Sequence, residues 1–533
     1  MKYKVCVLAA GSNDRVGHAK EFNIVLLPIG TKSTLTRIIE KFPSDIEIVI
    51  ATGFKAELVK EFVKVAYPER NITIVEVENF SGPGSGPGLS LLACKEHLQA
   101  PFIFTSADTL VREAVPEPNR NWIGVARVGN SRDYLMADTD HSLVRQFFVK
   151  VETDVLLRTC QNYEKILDNA FIGMAGICDY ETFWQGMELN KQLIRNEFQV
   201  SNGLSEIIPL NVETIPFTWF DTGNEAGYNY ACRFFDKNRV IIKPDEFLYF
   251  ENGKVIKYFA NKHTVEERIK RAEKLEGIVP PLTFKGHNFY AYDFIEAQTL
   301  PKVTDPAIFE SFLEYCNETV WKKIDLTKEQ KVEFKKQCEK FYVEKTRNRI
   351  EKFLNGNGVR DREEIINSKK IPKTSELLDK VDWNKLCEGV PVLFHGDLQP
   401  ENILICDNGF RLIDWRQNFA GNVEYGDIYY DFAKLHHALI ITHEVIRKNE
   451  FEIKEKGDII TYNFMQKNNL REYLEIFENF LVKEGYDLQK VRVLSALTYL
   501  NIAPLHHHPY NHFLYYYGKS MLHKALRGEN GGA

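Results

Sequence analysis

Short apolar runs recur through the first half of the chain, each suited to a strand buried on both faces: Lys4-Val5-Cys6-Val7-Leu8, Ile46-Glu47-Ile48-Val49-Ile50-Ala51, Ile72-Thr73-Ile74-Val75, Phe102-Ile103-Phe104-Thr105 and Trp122-Ile123-Gly124-Val125-Ala126. Stretches with helical spacing separate them, among them Leu89-Ser90-Leu91-Leu92-Ala93-Cys94-Lys95. This alternation predicts an α/β domain on a doubly wound, Rossmann-like sheet. A helix at Ala231-Cys232-Arg233-Phe234-Phe235 closes it, and a new strand pattern begins at Val240, which sets domains of 1–238 and 239–533. In the second, residues 247–259 alternate around Asn252-Gly253 and predict a hairpin. A helix over 265–275 follows, then a long helical region from about Pro306 to Lys352, and later two apolar strands at Val392-Leu393-Phe394 and Leu412-Ile413. Strands and helices segregated in this way predict an α+β domain.

A chain of 533 residues exceeds what one hydrophobic core supports. Net charge is -6 with no block of clustered Lys and Arg, which argues against nucleic acid as the main partner. The nine cysteines are scattered without CxxC pairs, as expected of reduced thiols. The first apolar run is too short for a signal peptide core and none approaches a membrane span, so the expected location is the cytoplasm.

The densest chemistry lies at Phe394-His395-Gly396-Asp397-Leu398-Gln399-Pro400-Glu401-Asn402, followed by Leu412-Ile413-Asp414-Trp415. Phosphoryl transfer from Mg-ATP asks for one carboxylate to orient the attacking hydroxyl, and for an amide oxygen and a second carboxylate to hold Mg2+ on the phosphates. Asp397, Asn402 and Asp414 fit those roles in that order. The motif H-G-D-x-x-x-x-N followed by I-D-[WFY] resembles the choline-kinase and aminoglycoside-phosphotransferase branch of the protein-kinase-like fold. That resemblance implies that Lys257, in Val255-Ile256-Lys257, holds the α- and β-phosphates of ATP, with either Glu267 or Glu273 of the next helix as its partner. It also implies a hinge at Tyr290–Leu300, where the backbone at Tyr292 and Phe294 reads adenine. Asp427 and Asp431, spaced i and i+4, share one helix face and would buttress the catalytic loop or meet a cationic substrate, support being the expected role.

The N-terminal half has a second signature. The strand Val5–Leu8 runs into Ala9-Ala10-Gly11-Ser12, small residues that let amides approach a phosphate or base, and Leu26-Leu27-Pro28-Ile29-Gly30 follows. The pair resembles the L-A-A-G-x-G-x-R…P-K-x-L-L-P-[IV]-G signature of sugar-phosphate and phosphocholine-type nucleotidyltransferases. The resemblance implies that Gly84, Ser85, Gly86 and Gly88 contact the nucleobase, and that Asp108 and Asp221, the latter in Trp219-Phe220-Asp221-Thr222-Gly223, hold Mg2+. Residues 169–177 look like an acceptor-side strand, or equally a buried strand with small residues. Where the family places a catalytic Lys the chain has Ile24, which cannot neutralise a developing phosphate charge. Arg15 with Lys20 is the expected substitute, and Lys150 a second cation.

Together these resemblances imply a bifunctional enzyme. A kinase domain phosphorylates a small alcohol, a choline-like amino alcohol or a polyol, with ATP. The first domain then transfers a nucleotidyl group, CMP from CTP, to the product, feeding surface-glycan synthesis. A sugar kinase with sugar-phosphate nucleotidyltransferase is the alternative, as is an active kinase carrying a degenerate nucleotide-binding domain.

Overall fold

The computed structural model describes residues 3–12, 22–152, 166–190, 193–236 and 245–529. Arg15, Lys20 and the 238/239 boundary lie outside the described residues. The chain forms two compact units, Met1–Asn261 with Gly286–Phe294, and Lys262–Lys285 with Ile295–Ala533.

The first unit is built on nine strands: β1 Lys4–Ala9, β2 Glu47–Thr52, β3 Ile72–Glu76, β4 Phe102–Ser106, β5 Asn121–Ala126, β6 Leu135–Asp140, β7 Leu143–Val149, β8 Ala170–Ile177 and β9 Val212–Pro216. Their order is β3-β2-β1-β4-β8-β5-β9-β7-β6. The first four are parallel, with Val5 level with both Ile48 and Ile103. Helices cover a parallel sheet on both faces, so its strands read as continuous apolar runs. Val5, Val7, Ile48, Ile50, Ile103 and Phe104 are accordingly buried completely. The order reverses between β1 and β4, and loops leaving the carboxyl ends of such neighbours diverge into a crevice. That crevice is framed by Ala10–Ser12 after β1 and by Asp108 after β4.

A separate group of strands in this unit comprises β10 Glu246–Glu251, β11 Lys254–Phe259 and β12 Phe289–Asp293. Asn252 and Gly253 turn β10 into β11 with φ of 47° and 72°, the left-handed pair a tight hairpin demands. The hairpin lies against the helix Ala56–Ala66, where the Phe62 ring meets Tyr249 at 5.0 Å and Phe289 at 5.9 Å. Asn252 Nδ2 donates to the carbonyl of Ala66 at 2.6 Å, and the Tyr249 hydroxyl to that of Leu26 at 2.7 Å. Half-buried Glu61 accepts from the backbone N–H groups of His287, Asn288 and Phe289 at 2.5, 3.2 and 3.3 Å. Glu61→Ala should therefore destabilise the first unit by about 2 kcal/mol, since charge-assisted bonds are lost and donors are left unpaired. Glu61→Gln should recover part of that loss in a denaturant titration.

In the second unit the expected long helical region breaks into Pro306–Glu318, Lys328–Glu339 and Lys345–Asn357, the last two joined by a π-turn. The break has a local cause. Thr327 and Gln330 form a capping box that starts a new helix, each side chain accepting from the other residue's backbone N–H. The strand Pro391–Val392 leads into the His395-Gly396-Asp397 turn, and β13 Ile403–Cys406 pairs with β14 Gly409–Leu412 after it. The helix Ile428–Ile440 is buried along its whole length and packs on Leu488–Ile502 and Asn468–Lys483. Among the described residues no helix is long and apolar enough to cross a membrane.

Candidate active sites

In the second unit the turn His395-Gly396-Asp397 is clamped from both sides. The Asp431 carboxylate accepts from the backbone N–H of His395 at 2.7 Å and of Gly396 at 2.6 Å. Buried Arg271 donates to the carbonyls of Leu393 and Phe394 at 2.6 and 2.5 Å and stacks on the Phe394 ring at 4.4 Å. Gly396 sits at φ 82°, and a Cβ there would lie 2.5 Å from Cβ of Arg416, so no other residue fits. Asp431 thus buttresses the loop through backbone amides. Asp427 does so one turn earlier, accepting from the N–H of Val390 at 2.8 Å and the Tyr342 hydroxyl at 2.7 Å.

Both donors that reach the Asp397 carboxylate use Oδ1: Lys434 Nζ at 2.7 Å and Gln399 Nε2 at 2.8 Å. Among the described residues neither of these two bonds uses Oδ2. Burial by itself would raise this carboxyl, but the Lys434 ammonium and the two hydrogen bonds outweigh burial and hold it well below the usual range. Asp397 is therefore ionised at any working pH. Burial pushes the neighbouring His395 down to about 4, which keeps it neutral, and its Nδ1 accepts the Asp397 N–H at 3.3 Å.

Asn402 Nδ2 donates to the carbonyl of Asp397 at 2.9 Å, which orients the side-chain amide, and the backbone carbonyl of Asn402 accepts from the N–H of Ile413 at 2.9 Å. Asp414 follows at φ 62°, a left-handed position costly for a non-glycine residue and frequent at functional sites. The loops bearing Asp397, Asn402 and Asp414 are thus tied to one another by backbone and amide hydrogen bonds. Glu267 is buried and accepts from Asn418 Nδ2 at 2.6 Å, whereas Glu273 is paired with Lys285 at 2.7 Å on the surface. Lys257 and Tyr292 are buried in β11 and β12 of the first unit, and Phe294 is exposed just beyond. A cavity of about 360 Å³ lined by Ile295, Glu296, Ile405, Cys406, Asp407, Asn408 and Arg411 includes none of the catalytic-loop residues.

Burial raises Asp431 to about 6, its two backbone hydrogen bonds offsetting only part of the effect. The folded value lies above that of the unfolded chain, so this group's contribution to stability is complete below about pH 4 and is lost as pH rises through about 6. Asp431→Asn should remove that part of the pH dependence. Denaturant midpoints at pH 4.5 and pH 7 are the comparison to make.

In the first unit Asp108 and Asp221 converge. The short strands Thr109–Val111 and Trp219–Asp221 pair antiparallel, and Thr222 donates its N–H and hydroxyl to the carbonyl of Asp108 at 2.9 and 3.0 Å. Asp221 is oriented by the Gly223 N–H at 2.9 Å and by Asn224 Nδ2 at 2.8 Å. A Cβ on Gly223 would lie 2.4 Å from Oδ2 of Asp108 and 3.1 Å from Oδ1 of Asp221. Gly223→Ala should therefore push the carboxylates apart and lower any nucleotidyl transfer that depends on the pair by at least about tenfold. Phosphoryl transfer by the second unit in the same sample serves as the reference.

After β1 the Ala9 carbonyl accepts from Asn23 Nδ2 at 3.0 Å and the Ala10 carbonyl from the Phe54 N–H at 2.9 Å, leaving Gly11 and Ser12 exposed. The Gly84-Ser85-Gly86 loop lies on the strand Glu197–Phe198, with the Phe198 N–H donating to Ser85 at 2.7 Å. A Cβ on Gly86 or Gly88 would come within 2.8 or 2.7 Å of the Phe198 carbonyl. At these two positions close approach of the chain to itself already demands glycine. Lys150 is ion-paired with Glu197 at 3.1 Å.

Residues 329–447 match the phosphotransferase enzyme family. The second unit carries a kinase-like phosphotransferase domain. No curated protein matches the chain. Among solved structures, an apo UDP-glucose pyrophosphorylase is similar over 45% of this chain and 100% of its own, at 18% identity and a TM-score of 0.36. The CTP:phosphocholine cytidylyltransferase of Streptococcus pneumoniae is similar over 44% and 99%, at 16% identity and a TM-score of 0.36. The inositol-1-phosphate CTP transferase of T. maritima is similar over 45% and 99%, at 10% identity and a TM-score of 0.34.

The sequence reading of the phosphotransferase domain missed Lys434. Its signal was a single cation inside the apolar run Phe432-Ala433-Lys434-Leu435, three residues after Asp431 and so on the same helix face. Arg271 gave no such signal, because the helix Lys262–Lys274 is densely charged and only the structure shows that this side chain is buried.

Proposed function

We propose that the second unit transfers the γ-phosphoryl group of ATP to a small alcohol and that the first unit joins the phosphorylated product to a nucleotidyl group with release of pyrophosphate. CMP from CTP is the group that the N-terminal motif implies, and an activated building block for surface glycans is the corresponding product. The convergence of Asp108 and Asp221 over Gly223, at the crevice between β1 and β4 of a chain that also carries a phosphotransferase domain, is the observation that supports the pair of reactions.

Two sets of hard oxygen donors suit Mg2+. Asp108 and Asp221 would hold one ion, in a space that a single added Cβ would fill, and Asn402 with Asp414 would hold the other. The ion supplies charge neutralisation on phosphate oxygens. Asp397 accepts the hydroxyl of the alcohol on Oδ2 and aligns its oxygen with the phosphorus. Because Asp397 is a weak base it orients first and takes the proton late, as a loose phosphoryl transition state requires. In the first unit the exposed Gly11 stands in the loop after β1, where the triphosphate would approach.

A second reading, a first unit that binds a nucleotide without turning it over, is favoured by Ile24. Asn23 beside it is committed to structure, donating to the carbonyls of Ala9 and Phe54 at 3.0 and 2.7 Å. The test is pyrophosphate release with Mg2+, each nucleoside triphosphate in turn and a panel of phosphorylated alcohols. Release with one pair supports nucleotidyl transfer. Silence across the panel, in a sample that still consumes ATP, leaves a kinase with a nucleotide-binding module.

A further inference from the structure

Lys345, Arg349, Arg416 and Lys434 bring four cations from three places in the chain toward Asp397. Lys345 and Arg349 stand on the helix Lys345–Asn357, Lys434 on Ile428–Ile440, and Arg416 follows Asp414 and Trp415. Lys345 Nζ lies 4.0 Å from the centre of the Phe341 ring and 5.7 Å from that of Tyr430. Cζ of Arg416 lies 5.0 and 5.8 Å from the same two rings. Two cations from separate elements therefore share one pair of aromatic faces. Lys345 feels the positive charges of Arg349, Arg416 and Lys434, and Asp397 is the carboxylate that opposes them. Asp397 is itself engaged by Lys434 at 2.7 Å.

Among the described residues, Lys345, Arg349 and Arg416 form no ion pair with a carboxylate, and all three are half-buried. Arg416 Nε donates to the carbonyl of Asn418 at 3.0 Å, which fixes its guanidinium without neutralising it. Burial first, and like charges second, push Lys345 and Arg349 down from their ordinary values. Unpaired, partly desolvated like charges are unfavourable in a folded chain unless a ligand supplies the missing sign. Two guanidinium forks and an ammonium are the donor set that oxyanions prefer.

We propose that the alcohol phosphorylated by the second unit already carries an oxyanion, a phosphate or a carboxylate, which Lys345, Arg349 and Arg416 bind while its hydroxyl lies on Asp397. The inference rests on the phosphotransferase reading above and narrows its substrate class. It also replaces the choline-like acceptor that the motif resemblance implied. A quaternary or primary ammonium group would seek the Phe341 and Tyr430 rings, whose faces the protein's own cations already occupy. In the reaction the hydroxyl oxygen forms a bond to the γ-phosphorus and the bond from that phosphorus to the β,γ-bridging oxygen breaks. ADP leaves, and the hydroxyl proton passes to Oδ2 of Asp397 and on to water. The product bears two anionic groups.

The test uses the full-length chain with Mg2+, ATP and acceptors in matched sets: polyols and sugars, the same compounds as phosphates or sugar acids, and choline with ethanolamine. kcat/KM for a phosphate- or carboxylate-bearing acceptor is expected to exceed that of its uncharged counterpart by about tenfold or more, with the matched pair showing which oxyanion is taken. Lys345→Gln and Arg349→Gln should each raise KM for that acceptor about tenfold while KM for ATP moves less than about twofold, with melting temperature checked in parallel. Preference for uncharged or cationic acceptors overturns the inference and leaves the phosphotransferase reading standing. A rise in KM for ATP in place of that for the acceptor also overturns it, by assigning the cations to the triphosphate. Transfer to no acceptor of any charge overturns the phosphotransferase reading and this inference with it.

Discussion

Asp397→Asn is expected to lower phosphoryl transfer from ATP by about 10²- to 10⁴-fold, the range for removing a positioned proton acceptor. The substitution keeps the shape of the side chain, so the clamp made by Asp431 and Arg271 on the turn backbone is untouched. What it removes is the negative charge on Oδ2 and the partner of buried Lys434, 2.7 Å away. A secondary loss of stability of about 1–3 kcal/mol follows from the unpaired ammonium, and a thermal melt separates it from the loss of rate. ADP release in a coupled assay is the measurement. A loss smaller than about tenfold would show that proton removal is not this carboxylate's task. Pyrophosphate release by the same variant, supplied with an already phosphorylated acceptor, should continue at the unmodified rate. The low pKa of Asp397 adds a further sign: the wild-type rate should not fall on acidification through the protonation of this group at any pH where the chain stays folded.

Asp108→Asn should abolish the other activity, lowering pyrophosphate release by about 10²- to 10³-fold while ADP release is preserved. The amide keeps the size of the carboxylate, and the contacts Thr222 makes go to the backbone carbonyl of Asp108 and survive the change. The loop therefore stays in place and the missing element is charge opposite Asp221. Raising Mg2+ should restore part of the rate, because a site short of one anionic donor binds the ion more weakly without losing its other donors. Full activity in the variant would remove Asp108 from the site.

The catalytic turn was legible because its information is local. A strand, a His-Gly-Asp turn and an Asn five positions after the Asp sit within a dozen residues, and each element constrains the next. The parallel half of the sheet was legible for a related reason, since a strand covered on both faces reads as an unbroken apolar run. In the antiparallel half only Trp122–Ala126 and the strand within 169–177 were legible. Residues 143–149 and 212–216 carry exposed and half-buried polar positions that blur into loop patterns. Tertiary partnership was the larger gap. Alternation around Asn252-Gly253 announces a hairpin but not the surface it covers, and that surface is the ring of Phe62. Gly86 and Gly88 read as a ligand loop, yet the Phe198 carbonyl demands them. Lys345 and Arg349 lie one turn apart on the helix Lys345–Asn357, but Arg416 is distant from them in the chain, and all three are ordinary in composition. Three-dimensional proximity without a compensating acid is what makes them informative.

The hairpin of β10 and β11 also bears on how the two halves of the chain are inherited. A recombination break or a protease cut near residue 238 divides the sequence between its two motifs, but it leaves the helix Ala56–Ala66 without its cover. Phe62, buried completely here, would face water together with Phe22, and Glu61 would lose the amides it binds. A fragment ending there inherits a sticky apolar face in place of a finished surface, and chains that exchange halves at that point should be selected against for insolubility before their chemistry is ever tested.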